Sequence, residues 1–182
     1  MNQKNQQQII NIMKETVSML CIFFLFISCK NQDNKVIQKD FSDKIQELVL
    51  SENKIGQEYF FKILLRDQVL EYKIVYLGDI ENNKEGNLKF IVSTIYSGNY
   101  EDSKRANSRV FIYTKNNDKK GYYYIGGVLK APLEIKESDL YLPIQNSNCD
   151  ESTMISFKDS IPKEIFINCT KAGGDFYNFE VK

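Results

Sequence analysis

LKFIVSTIY, residues 88–96, carries its large side chains with a period of two: Leu88, Phe90 and Val92 alternate, and Tyr96 keeps the same phase. Successive side chains of a strand point to opposite faces, so this pattern predicts a long strand with one face in a core. The same period governs both flanks. Tyr59 to Arg66 and Val69 to Gly78 are apolar runs separated by Asp67-Gln68, the signature of a tight hairpin. Asn82 to Asn87 (NNKEGN) then turns the chain into the quoted strand. Val110 to Thr114 follows, and Asn116 to Gly121 (NNDKKG) turns it into Tyr122 to Ile125. Leu140 to Ile144 contains Pro143, which has no N–H to give a ladder and belongs at a sheet edge or strand end. Thr153, Ile155 and Phe157 alternate, as do Ile165 with Ile167 and Tyr177, Phe179 with Val181. Short strands joined by local turns predict a mainly β fold, an antiparallel meander closing as a barrel or packing as a sandwich.

One segment before Gly56 has a different period. Ile37, Phe41, Ile45 and Leu48 are spaced by four, four and three, one face of an amphipathic helix that is expected to pack on the sheet. Residues 37–182 read as one domain, long enough to bury a core. The chain holds 24 basic and 24 acidic residues, so there is no electrostatic case for nucleic acid. Histidine is absent, which removes the commonest general base, triad member and zinc ligand together.

Val17 to Cys29 (VSMLCIFFLFISC) is apolar from Val17 to Ile27, preceded by Lys14 and followed by Ser28, Cys29 and Lys30. A membrane span needs about 20 apolar residues, so a run of this length reads as a signal-peptide core. The small residue followed by cysteine resembles the lipobox of bacterial lipoproteins, with Phe26 and Ile27 departing from its two preceding positions. The resemblance covers Val17 to about Asn34 and implies that Cys29 is acylated on sulfur and becomes the first mature residue. Residues 1–28 are then the signal peptide and residues 29–36 (CKNQDNKV) a polar tether. In lipoproteins of the enteric type an aspartate after the cysteine retains the protein at the inner membrane. Lys30 stands there, which implies the outer membrane. Residues 1–12 are polar and Gln-rich, so Met13 is the expected true start.

Cys149 and Cys169 remain. A hairpin of residues 152–158 and 164–169 around 159–163 would bring the chain before its first strand back beside the end of its second. In an oxidising compartment this predicts a Cys149–Cys169 disulfide.

The candidate motifs for chemistry have structural explanations. Asn116 to Gly121 places lysine where a calcium loop needs oxygen ligands, with no closing glutamate. Ala172-Gly173-Gly174-Asp175 lies between strands rather than opening a helix, so its glycines are expected to supply positive φ for a turn instead of a phosphate cradle. Glu101-Asp102 and Asp150-Glu151 are adjacent in sequence, which does not make a facing carboxylate pair. In Tyr122-Tyr123-Tyr124, one face takes Tyr123 and the other Tyr122 and Tyr124, giving either ordinary packing or a stacking platform. The connection Ser97 to Ser108 (SGNYEDSKRANS) is long for a hairpin and carries Tyr100 and Arg105, residue types enriched at binding hot spots.

These readings give a lipid-anchored cell-envelope binding module without catalysis, cofactor or metal. It acts through a protein partner, with Tyr100, Arg105, Tyr122 and Tyr124 as candidate contacts. Two alternatives stand beside it: an immunity lipoprotein against an envelope-acting toxin, and a hydrolase working through carboxylates alone.

Overall fold

The computed structural model describes residues 34–65, 68–98, 103–127, 132–144 and 149–181. Met13, Cys29 and Tyr100 lie outside them, as do the signal-like segment and most of the tether. Two compact units divide between Asp43 and Lys44. Residues 34–52 are helical, so Asn34 to Val36 belong to helix rather than tether. Asn53, at φ 52°, terminates the helix, its amide donating to Val49 O at 3.3 Å.

Within the unit from Lys44 onward, the helix buries Ile45, Gln46, Val49 and Leu50, whereas Leu48 is 47 % exposed. The apolar spacing therefore misplaces the inner face of the last turns. Gln46 can occupy a core position because Tyr113 Oη donates to its Oε1, which leaves no buried amide oxygen unpaired.

Ten strands follow: β1 (Glu58–Leu65), β2 (Gln68–Asn82), β3 (Gly86–Ser97), β4 (Arg105–Thr114), β5 (Lys119–Gly126), β6 (Glu134–Lys136), β7 (Asp139–Leu142), β8 (Thr153–Ser156), β9 (Glu164–Thr170) and β10 (Gly173–Val181). They form a seven-stranded sheet in the order β1-β2-β3-β4-β5-β10-β9 and a three-stranded sheet in the order β6-β7-β8. The fold is mainly β and antiparallel, as the alternation indicates. The meander holds from β1 to β5. The chain then leaves to build the small sheet and returns through β9, with β10 filling the place beside β5.

Several boundaries differ from the sequence reading. Leu65 pairs with Gln68, so Gln68 belongs to β2 and not to the turn. Ser97 pairs with Arg105 and Thr94 with Ser108, so Ser97 and Arg105 to Ser108, both ends of the expected connection, are strand. Its polar residues are accommodated there because Thr94 Oγ1 and Ser108 Oγ satisfy each other at 2.9 Å. Gly121 lies inside β5: a Cβ there would stand 2.3 Å from Glu180 O, so glycine allows β10 to approach. Gly173 and Gly174 are not among the positive-φ residues. A Cβ on Gly174 would stand 2.1 Å from Ile167 O, so that glycine serves close strand approach at a bulge rather than a turn. Residues 152–158 and 164–169 do not form the expected hairpin, since β8 pairs with β7.

The two sheets share one core. Leu88, Phe90 and Val92 of β3 pack with Val110 and Ile112 of β4 and with Tyr123 of β5. Leu140, Ile155 and Phe157 come from the small-sheet side. Phe157 has no solvent exposure, and its ring stands edge-on to Phe90 at 4.9 Å. Asn82 Nδ2 donates to Phe157 O at 2.5 Å, while its Oδ1 accepts from the amides of Lys84 and Glu85 at 2.9 and 2.8 Å. One buried side chain thus fixes both the β2–β3 turn and the crossing to the second sheet.

Candidate functional site

A register shift in β2, between Tyr76 and Gly78, shapes the site. One extra residue lets Leu77 join the shared core while Tyr76 is buried too, Tyr76 Oη donating to Asp79. Gly78, at φ 121°, has Ile55 Cδ1 and Ile135 Cδ1 within 3.5 and 3.6 Å of where a Cβ would stand. Beside this bulge a cleft of about 560 Å³ opens between the first strands of the large sheet and the approach to β6. Val75, Leu77 and Val92 line one wall, Leu133 and Ile135 the other, with Ile55 at one end. Glu58, Lys73, Thr94, Tyr96 and Glu134 supply the polar groups. Lys73 is ion-paired with Glu58, and Glu134 with Lys136 at 3.6 Å. The volume, with an apolar wall on either side and polar groups beside it, is that of a ligand or side-chain pocket.

On the cleft's side of the large sheet, β2 also carries Glu71. Lys62 and Lys104 reach Glu71 at 2.5 and 2.8 Å, and the two hydrogen bonds, that from Lys104 first, hold the Glu71 carboxyl below its ordinary range. Phe60 and Leu64 stand 69 % and 68 % exposed on that same side.

The opposite face of the large sheet carries the three described contact candidates, Arg105, Tyr122 and Tyr124. Arg105 is exposed at the start of β4, and alternation puts it on one side with Asn107 and Arg109. Tyr124 Oη donates to Asn107 Oδ1 at 2.6 Å, and Tyr122 Oη donates to Glu180. The Arg109 guanidinium lies 5.4 Å from the Tyr122 ring and 5.5 Å from that of Tyr124. The structure therefore places Arg105, Tyr122 and Tyr124 on one face, with Arg109 and Asn107, which the sequence reading missed, between them. Tyr123 points the other way, into the core, and donates to Pro162 O at 2.5 Å.

No family model, curated protein or solved structure matches this chain. Among the described residues, no helix is long and apolar enough to cross a membrane.

Burial raises the phenols of Tyr76 and Tyr123 well above the ordinary tyrosine range, and for Tyr76 the hydrogen bond to Asp79 adds to it. The unfolded chain ionises these groups near pH 10 while the folded chain resists, so their contribution is complete below about pH 10 and lost as pH rises beyond it. Denaturant titrations should show little dependence of stability on these groups from neutrality to about pH 10, then a decline. In Tyr123→Phe the decline should be shallower, and an unchanged slope would count against this assignment.

Proposed function

We propose that this chain is a lipid-anchored binding module of the bacterial cell envelope, held at the outer membrane through Cys29, that acts by engaging a protein partner without turnover. The sequence from Val17 to Lys30 supports the anchor. The observation that carries the binding reading is the cleft, with Val75, Leu77, Val92, Leu133 and Ile135 around an opening edged by Glu58, Lys73 and Glu134. An apolar side chain of the partner fits the lining, and charges at the mouth fit the polar rim that surrounds a buried anchor in protein interfaces.

The test is photo-crosslinking in intact cells from a reactive residue placed at Glu134, on the cleft's edge. One discrete protein adduct is expected from wild type. Ile135 also packs against the shared core, so Ile135→Glu, which puts a carboxylate in the apolar wall, is assayed at a temperature where it remains folded, and there it should remove the adduct. Cys29→Ser should abolish acyl labelling and release the chain from the membrane fraction. Equal capture with Ile135→Glu would refute the cleft as the contact, and unchanged labelling of Cys29→Ser would refute the anchor.

A further inference from the structure

β1 forms one edge of the large sheet. Leu65 and Gln68 pair across a two-residue connection, and a pair in that position exchanges its own main-chain hydrogen bonds. Counting back in twos, Tyr59, Phe61 and Ile63 bond to β2, while Glu58, Phe60, Lys62 and Leu64 turn their amide groups outward. The same four residues are the exposed ones in β1. The edge is therefore a row of main-chain donors and acceptors flanked by exposed Phe60 and Leu64, with one acid and one base two residues to either side of Phe60.

We infer that this edge pairs with a second copy of the chain, antiparallel, about a two-fold axis at Phe60. An axis normal to the sheet requires residues on the same face to oppose each other, which allows centres at Phe60, Phe61 or Lys62. Centring on Lys62 sets two lysines directly opposite, which is destabilising. Centring on Phe61 opposes Glu58 to Leu64 and Lys62 to Phe60, matching neither charge. Centring on Phe60 opposes Glu58 to Lys62 twice and brings the two exposed Phe60 rings together. In that register Glu58, Phe60 and Lys62 use their outward amide groups for about six main-chain hydrogen bonds. The ion pairs already in place then join across the axis. Lys73 holds Glu58, Glu58 meets Lys62 of the second copy, and that lysine meets Glu71, itself held by Lys104. Signs alternate along the whole line. A lysine on an open edge ordinarily opposes sheet-to-sheet association. Here its position two residues from Phe60, mirrored by Glu58, makes it specify one register instead.

The experiment uses the full chain expressed in cells, with non-reducing gels against a wild-type control. Phe60→Cys should give a disulfide-linked dimer, and Lys62→Cys, opposed by Glu58 in this register, should give about tenfold less. In the Phe60→Cys background, Glu58→Lys alone or Lys62→Glu alone should each reduce the dimer about tenfold by setting like charges opposite. Differently tagged copies carrying one change each should recover it as a mixed dimer. Crosslinking that is absent from Phe60→Cys, equal at both positions, or indifferent to the charge changes would overturn the proposal.

Discussion

Phe157→Ala is expected to destabilise the fold by about 3–5 kcal/mol, the range for removing a fully buried phenylalanine. Phe157 follows β8 and has no solvent exposure, with the Phe90 ring edge-on at 4.9 Å and the Tyr123 ring at 6.2 Å. Truncation removes the apolar burial and both ring contacts, and it leaves a cavity between two sheets whose spacing is held by other side chains. The backbone is also constrained there, since Phe157 O accepts from buried Asn82. Collapse around the cavity would have to displace that bond. Domains have only about 5–15 kcal/mol of stability in total, so the variant should unfold at a markedly lower urea concentration with its m-value unchanged. Phe176→Ala provides the contrast. That ring is 65 % exposed, touching Phe166 at 4.7 Å, and should matter by less than about 1 kcal/mol. A Phe157→Ala loss no larger than that of Phe176→Ala would mean that the two sheets do not share a tightly packed core.

The contrast between these two phenylalanines also separates what the sequence discloses from what it conceals. Period-two alternation identified Phe157 as an inward position and traced the strands from β1 to β5, because neighbours in sequence are neighbours in that part of the sheet. It could not reveal that β10 returns beside β5. That pairing depends on Gly121, and the β9–β10 pairing on Gly174; both read as turn residues but instead make room for another strand's backbone. The cleft was illegible for a related reason. Its walls come from β1 to β3 and from Pro132 to Ile135, and no local pattern announces that these segments face each other. β6 itself is three residues long, too short to show alternation. On the opposite face, Tyr122, Tyr124 and Arg105, singled out by residue type, fall on one side of the sheet because β4 aligns Arg105 with them.

Reduction of Cys149–Cys169 is expected to lower stability by about 3 kcal/mol and the melting temperature by roughly 10 °C. The bond is present, spanning 20 residues, although the hairpin expected to bring its ends together is not. Another contact does so. Residues 151–153 run beside β9, with the Glu151 amide donating to Cys169 O at 3.2 Å and the Asn168 amide to Thr153 Oγ1 at 2.8 Å. β8 belongs to the small sheet and β9 is an edge strand of the large one, so the disulfide ties the two sheets at a place with little shared ladder. Chain entropy of the unfolded state accounts for the expected magnitude, and opening the link should also expose more surface on unfolding and raise the m-value. Cys149→Ser with Cys169→Ser should reproduce the effect of reductant, and reductant should then do nothing further. Because neither cysteine lines the cleft, the reduced protein should still give the Glu134 crosslink at a temperature where it remains folded. A melting temperature unaffected by both treatments would show that the Glu151 and Thr153 hydrogen bonds hold the sheets together unaided. Loss of the crosslink from folded, reduced protein would instead show that the disulfide sets the width of the cleft.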